Sequence, residues 1–360
     1  MADPTMQTFC CHRGNGTDVS LTLMKNLDTN VYNSVCIISS MLGILGALYQ
    51  ILPRKQYAKH HKWLSFSAQR GRRITVLLAV ADLMASLGVF VRSMVWLKFN
   101  NILPVEDDDS SVIFCTLSSA LVQYFYTATW IWTFCYALDM QFVLKDKEID
   151  FKYYHMVAWL TPCFTTSMGL SVLYIPDANC HISKSMLTVI TRILPNYIVT
   201  YIPIAIIMIY TPFLYNQSTR DMERIITSLT GQFTAKERKI IEGVKMKFFL
   251  INLVFYVCWI PNFINGILLW LLWFDVPMTF ISIIWYIMAF LNPLQAFFNC
   301  MVYRRWNKGS EKIITPWSRS GSVQRNKLEF SSNTEENLDE KNEVLPLLKN
   351  VPTTSINQFV

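Results

Sequence analysis

Residues Ile74 to Leu97 read ITVLLAVADLMASLGVFVRSMVWL, with Asp82 and Arg92 as the only charges. A water-soluble helix carries polar residues along one face. This one is apolar all round and longer than the roughly 20 residues that cross a hydrocarbon core. It reads as a membrane span. Working outward, comparable runs occur at Val31–Leu52, Val112–Leu144, Tyr153–Ile175, Ile193–Tyr215, Val244–Trp273 and Pro277–Tyr303. The expected fold is therefore an all-α membrane protein, a seven-transmembrane-helix bundle. Composition agrees: 52% of residues are hydrophobic and 16% charged, against about 25% charged in ordinary globular proteins. The expected organisation is an outer or lumenal N-terminal segment at 1–30, the bundle at 31–303, an amphipathic membrane-surface helix at 304–308 and a disordered cytoplasmic tail at 309–360. The tail is rich in Ser, Asn, Glu and Lys and poor in aromatics, which cannot support a core.

Orientation follows from the loops. Arg70, Arg72 and Arg73 follow the first span; Lys145, Lys147 and Lys152 follow the third; Arg238, Lys239, Lys245 and Lys247 follow the fifth. The opposite side carries few cations and the acidic run Glu106–Asp109. The basic side is cytoplasmic, so the N-terminus faces outward. Asn15-Gly16-Thr17 is then a usable glycosylation sequon, whereas Asn216-Gln217-Ser218 faces the cytosol. No basic segment and short apolar core precede Val31, so the first span is expected to serve as the targeting signal. The net charge of +7 lies in short clusters between apolar runs, which does not describe a nucleic-acid surface.

Proline recurs in the last four spans, at Pro162, Pro203 with Pro212, Pro261 and Pro293. Each removes a helical hydrogen bond and bends the axis unless neighbouring groups compensate. The residues around them form a pattern: Phe255-x-x-Cys258-Trp259-x-Pro261, Asn292-Pro293, and Leu78-Ala79-x-x-Asp82. Together with Trp159 and Pro203, these resemble hallmarks of rhodopsin-like receptors. The resemblance implies an activation hinge at Phe255, Trp259, Pro261 and Pro293. It also implies a polar centre of Asp82, Thr129 and Asn292, holding either a structural sodium ion or a hydrogen-bonded network without one. Cys115 and Cys180 match the cysteines of the receptor disulfide, with free thiols as the alternative. Asp139 stands where such receptors begin their G-protein-facing motif, but Met140 replaces the arginine and Ala296 the tyrosine of the seventh-span motif.

Longer stretches narrow the resemblance. Thr8-Phe9-Cys10-Cys11, Val91-Arg92-Ser93-Met94-Val95-Trp96-Leu97, Phe134-Cys135-Tyr136-Ala137-Leu138-Asp139, Tyr154-His155-Met156-Val157-Ala158-Trp159 and Leu291-Asn292-Pro293-Leu294-Gln295 are similar to the ocular albinism type 1 receptor family. The similarity runs to about Tyr303, and the chain reads as a relative or paralogue. Membership implies a receptor of lysosome-related organelles and melanosomes. Its partners would be heterotrimeric G proteins, with arrestin, and a small ligand such as the catechol amino acid DOPA.

Val122 stands where amine receptors carry an aspartate, so an amine-to-carboxylate ion pair is not expected. The pocket residues singled out are Arg92, Gln123, Tyr126, Trp259 and Asn262. Arg92 either grips a ligand carboxylate or snorkels to lipid headgroups. In the tail, Glu343, Leu347 and Leu348 form an acidic dileucine signal of the kind clathrin adaptors read, which favours a lysosomal, melanosomal or late endosomal address, with the plasma membrane second. Other classes fare poorly. A retinal protein needs a lysine in Pro277–Tyr303, and there is none. The five histidines do not converge as a zinc enzyme requires. A non-signalling trafficking scaffold remains the alternative.

Overall fold

The computed structural model describes residues 27–52, 54–56, 62–98, 109–145, 147, 149–174, 186–230, 235–271, 278–306 and 311–313. They form seven helices: α1 (Thr29–Ile51), α2 (Lys62–Lys98), α3 (Asp109–Leu144), α4 (Phe151–Tyr174), α5 (Met186–Thr230), α6 (Ala235–Leu271) and α7 (Met278–Trp306). Each helix packs on its sequence neighbours, α1 also meets α7, and α3 reaches across to α5. A second unit contains a short antiparallel strand pair, β1 (Arg54–Gln56) with β2 (Glu311–Ile313), in the register Arg54 to Ile313. Asn15, Cys10, Cys11, Cys180, Glu343, Leu347 and Leu348 lie outside the described residues.

The helical unit is inside out relative to a soluble protein. Leu45, Leu117, Leu160, Phe164, Ile209, Phe213 and Phe249 face outward, while Asn33, Asp82, Gln123, Asn262, Asn265 and Asn292 are buried. Water would reverse that arrangement; hydrocarbon favours it. Among the described residues, five helices (α1, α2, α5, α6 and α7) are long and apolar enough to cross a membrane. The chain is an integral membrane protein. The sequence reading expected seven such helices. In α3 and α4, Thr, Ser, Tyr and Trp lower the mean hydropathy. Several of the hydroxyls are nevertheless accommodated by their own helices: Thr127 donates to Gln123 O at 2.9 Å, Thr133 to Thr129 O at 2.9 Å, and Thr165 to Thr161 O at 3.0 Å. α4 also presents a continuous apolar stripe, Tyr153, Met156, Val157, Leu160, Phe164 and Met168. Its inner face packs Trp159 against Tyr124 and Trp132 of α3.

Several helices outrun the apolar segments that predicted them. α2 starts at Lys62, α5 continues to Thr230 and α6 begins at Ala235. Apolarity marks the membrane-buried part of a helix, whereas Lys, Arg and Glu propagate the same helix into water. α7 continues through Arg304 and Arg305 to Trp306 without interruption. At the other end, the Asp28 carboxylate caps α1 by accepting from Asn30 N at 3.0 Å and Val31 N at 3.2 Å.

The prolines sit within continuous helices, and at two of them a neighbouring helix takes up the carbonyl that proline frees. Pro293 cannot donate to Ala289 O; Ser39 of α1 donates to it instead, at 2.9 Å. Pro212 cannot donate to Met208 O, and the Tyr256 hydroxyl of α6 does so at 2.6 Å. The Ser39 contact needs α1 close to α7. Gly43 and Gly46 permit it, since a Cβ on Gly43 would lie 2.2 Å from Pro293 O and one on Gly46 2.6 Å from Phe297 Cα.

Candidate functional site

The buried polar residues form tiers joined across helices. In the first, the Gln123 amide of α3 donates to the Thr200 hydroxyl of α5 at 3.0 Å. Nearby helices contribute a second pair, Trp285 Nε1 of α7 to Asn265 Oδ1 of α6 at 3.0 Å. Arg92 is 8% exposed, so it lies among the helices rather than at a lipid-facing surface. That burial disfavours snorkelling.

The next tier is the proline-bent region. Asn262, one residue after Pro261, and Asn292, one before Pro293, exchange amide hydrogen bonds at 3.0 and 3.2 Å. Trp259 Nε1 donates to Gln295 Oε1 at 2.7 Å. Tyr126 and Trp130 of α3 meet the Trp259 indole edge-on, with ring centroids 5.2 and 4.7 Å away. Phe255 and Trp259 are both buried in the same core. The bends of α6 and α7 are thus coupled by two side-chain pairs, and α3 abuts the indole between them.

Asp82 lies deeper. Its carboxylate accepts from Asn299 Nδ2 at 3.1 Å, and the Thr129 hydroxyl sits beside it. The Asn292 amide bonds to Asn262 instead. A hard cation calls for several oxygen ligands. The protein groups gathered here offer a carboxylate, only one of whose lone-pair sites is engaged by Asn299, and one hydroxyl, so a sodium ion held here would draw its remaining oxygens from water. Among the described residues, no group of three or more His, Cys, Asp or Glu side chains is arranged to hold a metal. Cys115 is buried and disulfide-bonded.

At the end of α3 remote from Cys115, Asp139 recovers the cation that Met140 does not provide. Arg70 of α2 donates through Nε to Asp139 Oδ1 at 2.6 Å and through Nη2 to Ile149 O at 2.5 Å. Its guanidinium also lies 5.8 Å from the Tyr154 ring centroid. The Arg70 and Asp139 side chains are 14% and 2% exposed. One arginine therefore ties α2 and α3 to the segment entering α4. A parallel network joins α3 to α5: Ser218 Oγ donates to Gln141 Oε1 at 2.7 Å, and Gln141 Nε2 donates to Asp221 Oδ2 at 2.8 Å.

Sequence reasoning singled out Asp82, Trp259 and Asp139 but not their hydrogen-bond partners Asn299, Gln295 and Arg70. Gln295 and Asn299 follow Asn292 at intervals of three and seven, one helix face, and that spacing was the available signal. Arg70 had been counted only as a loop cation.

A family model for the ocular albinism type 1 protein matches residues 1–345. A human protein named G-protein coupled receptor 143 is 28% identical over 333 residues, covering 88% of this chain and 80% of the relative. Cyclic AMP receptor-like protein A of Dictyostelium discoideum is 25% identical, covering 80% of this chain and 67% of the relative. Cyclic AMP receptor-like protein C of the same organism is 24% identical over 204 residues, 54% of this chain and 51% of the relative. The match over residues 1–345, which span all seven described helices, places the chain in the ocular albinism type 1 protein family.

Proposed function

We propose that the chain is a rhodopsin-like, seven-span G-protein-coupled receptor, with its ligand face outward or lumenal and its basic face toward heterotrimeric G proteins. The observation that carries this reading is the coupling of two proline-bent helices, α6 and α7, through Asn262 with Asn292 and Trp259 with Gln295. A ligand pressing on Trp259 from the Gln123 tier alters both bends together. The far ends of the same helices flank α3, which carries Asp139. The related proteins bear receptor names, and none is named as an enzyme.

Several finer features belong to the proposal. Arg92, Gln123, Tyr126, Trp259 and Asn262 line the ligand region, which suits a catechol amino acid such as DOPA: Arg92 takes the carboxylate and the amides take the hydroxyls. Asp82 with Asn299 and Thr129 forms a hydrogen-bonded polar centre whose remaining carboxylate lone pairs suit a structural sodium ion. Cys180 is the disulfide partner of Cys115, and Asn15 is glycosylated. The Glu343, Leu347 and Leu348 signal recruits clathrin adaptors and directs the receptor to lysosomal or melanosomal membranes; arrestin binds the same cytoplasmic side. One observation favours a second reading, a trafficking scaffold that does not signal: Met140 stands beside Asp139 and the cation comes from Arg70 of another helix.

The test is nucleotide exchange on G proteins in membranes from cells expressing Leu347→Ala/Leu348→Ala, with surface display verified by labelling. Exchange that rises with DOPA, and is lost in Arg92→Ala at equal display, supports the receptor and its carboxylate site. No exchange on any G protein at good display favours the scaffold.

A further inference from the structure

Lys247 of α6 holds an unusual position. Its ammonium lies 5.4 Å from the ring centroid of Tyr136 on α3 and 5.3 Å from that of Tyr303 on α7. Both rings are buried, and they meet edge-on with centroids 6.0 Å apart. Among the described residues no carboxylate pairs with Lys247, so the two ring faces are its counter-group. The next residue, Phe248, stacks on Tyr215 of α5 at 4.4 Å with the planes 11° apart. Tyr215 in turn lies 6.5 Å from Tyr136. The cytoplasmic part of α6 is thus closed onto α3, α5 and α7 by aromatic rings around a single cation.

We propose that Lys247 is a cation–π latch that keeps α6 closed on α3 and α7, and that its release lets α6 swing outward about Pro261. Distance argues for an all-or-none contact. Lys247 precedes Pro261 by fourteen residues, about 21 Å of helix. A tilt of about 15° at Pro261 moves Lys247 by roughly 5 Å along that lever. Cation–π attraction needs the cation within about 6 Å of the ring centroid. Both contacts are near that limit already, so such a swing breaks them together. The Phe248 stack opposes the same motion but carries no charge; Lys247 supplies the part that depends on a cation. The latch concerns helix geometry and stands whether or not a G protein is the partner.

The experiment places a fluorophore pair on unnatural amino acids at Lys152 and Glu242, both exposed, in the full chain in lipid nanodiscs. Single-molecule distances report α6 relative to the start of α4. Lys247→Met keeps the length and removes the charge; it is expected to raise the open-to-closed ratio about tenfold, the loss of two ring contacts. Lys247→Arg keeps a cation and is expected to stay near the parent ratio. Equal distributions for the parent, Lys247→Met and Lys247→Arg would overturn the latch. Should Lys247→Met not yield monodisperse protein, Tyr303→Leu removes one ring and is expected to raise the ratio about threefold; an unchanged ratio there overturns the proposal equally. Nucleotide exchange on the same samples separates the two ideas: an opened α6 without exchange leaves the latch standing and counts against the receptor reading.

Discussion

Substituting Arg70 by Gln removes the cation from Asp139 and strands a carboxylate whose side chain is 2% exposed. Removing one member of a buried ion pair costs about 3–5 kcal/mol. Arg70 is itself 14% exposed, so water reaches its vacated position and the lower end applies, about 3 kcal/mol. Asp139→Asn is milder. It leaves Arg70 with its bond to Ile149 O and its place beside Tyr154, a loss of about 1–2 kcal/mol. The double variant places two amides where the ions stood, and they can hydrogen-bond to each other. Its cost should be about 2 kcal/mol rather than the sum of the single variants, giving a coupling energy of about 2 kcal/mol or more. The assay is equilibrium unfolding of the full chain in bicelles, followed by tryptophan fluorescence, with all four proteins in one buffer. Additive single and double effects, or a cost below about 1 kcal/mol for Arg70→Gln, would refute the view that Arg70 is the buried partner of Asp139.

The remaining predictions use the same unfolding assay. Ser39→Ala leaves Ala289 O without the donor that replaces Pro293, and should cost about 1–2 kcal/mol, while Ser39→Thr retains the hydroxyl and should cost less. Tyr256→Phe deprives Met208 O in the same way, and a loss of about 1 kcal/mol is expected. Gly43→Ala drives a methyl into the Pro293 carbonyl, which is backbone and cannot turn aside, so about 1–3 kcal/mol should be lost. Gly266→Ala first meets the Tyr201 ring, a side chain rather than backbone, and should be the milder of the two glycine changes.

The helices themselves were legible because hydrocarbon imposes a crude rule, a long run of apolar residues, and Ile74–Leu97 obeys it. Charges that violate the rule were equally visible, which is how Asp82, Arg92 and Asp139 came forward. Their partners were not, because a partner is chosen by three-dimensional proximity. Arg70 looked like one more cytoplasmic cation, since nothing in the sequence said that α2 extends back to Lys62 and carries it alongside α3. Lys247 was hidden for the same reason, and its counter-group is a pair of tyrosines rather than an acid. Ser39 resembled any small residue in a span; its role depends on Pro293 lying opposite it. Within the expected trio of Asp82, Thr129 and Asn292, the bonds of Asn292 to Asn262 and of Asp82 to Asn299 were not legible, because each depends on which helix faces lie opposite one another. Gln295 and Asn299, by contrast, were recoverable from spacing on α7.

The proposal that this family member is a signalling receptor is tested most directly by reconstitution. The purified full chain would be placed in nanodiscs with a panel of purified heterotrimeric G proteins, and guanine-nucleotide exchange followed over time. The account predicts that at least one heterotrimer exchanges nucleotide faster in the presence of the chain, and faster still with Lys247→Met. Exchange identical to empty nanodiscs for every heterotrimer, with protein that remains folded and monodisperse, would contradict it and leave the scaffold reading in its place.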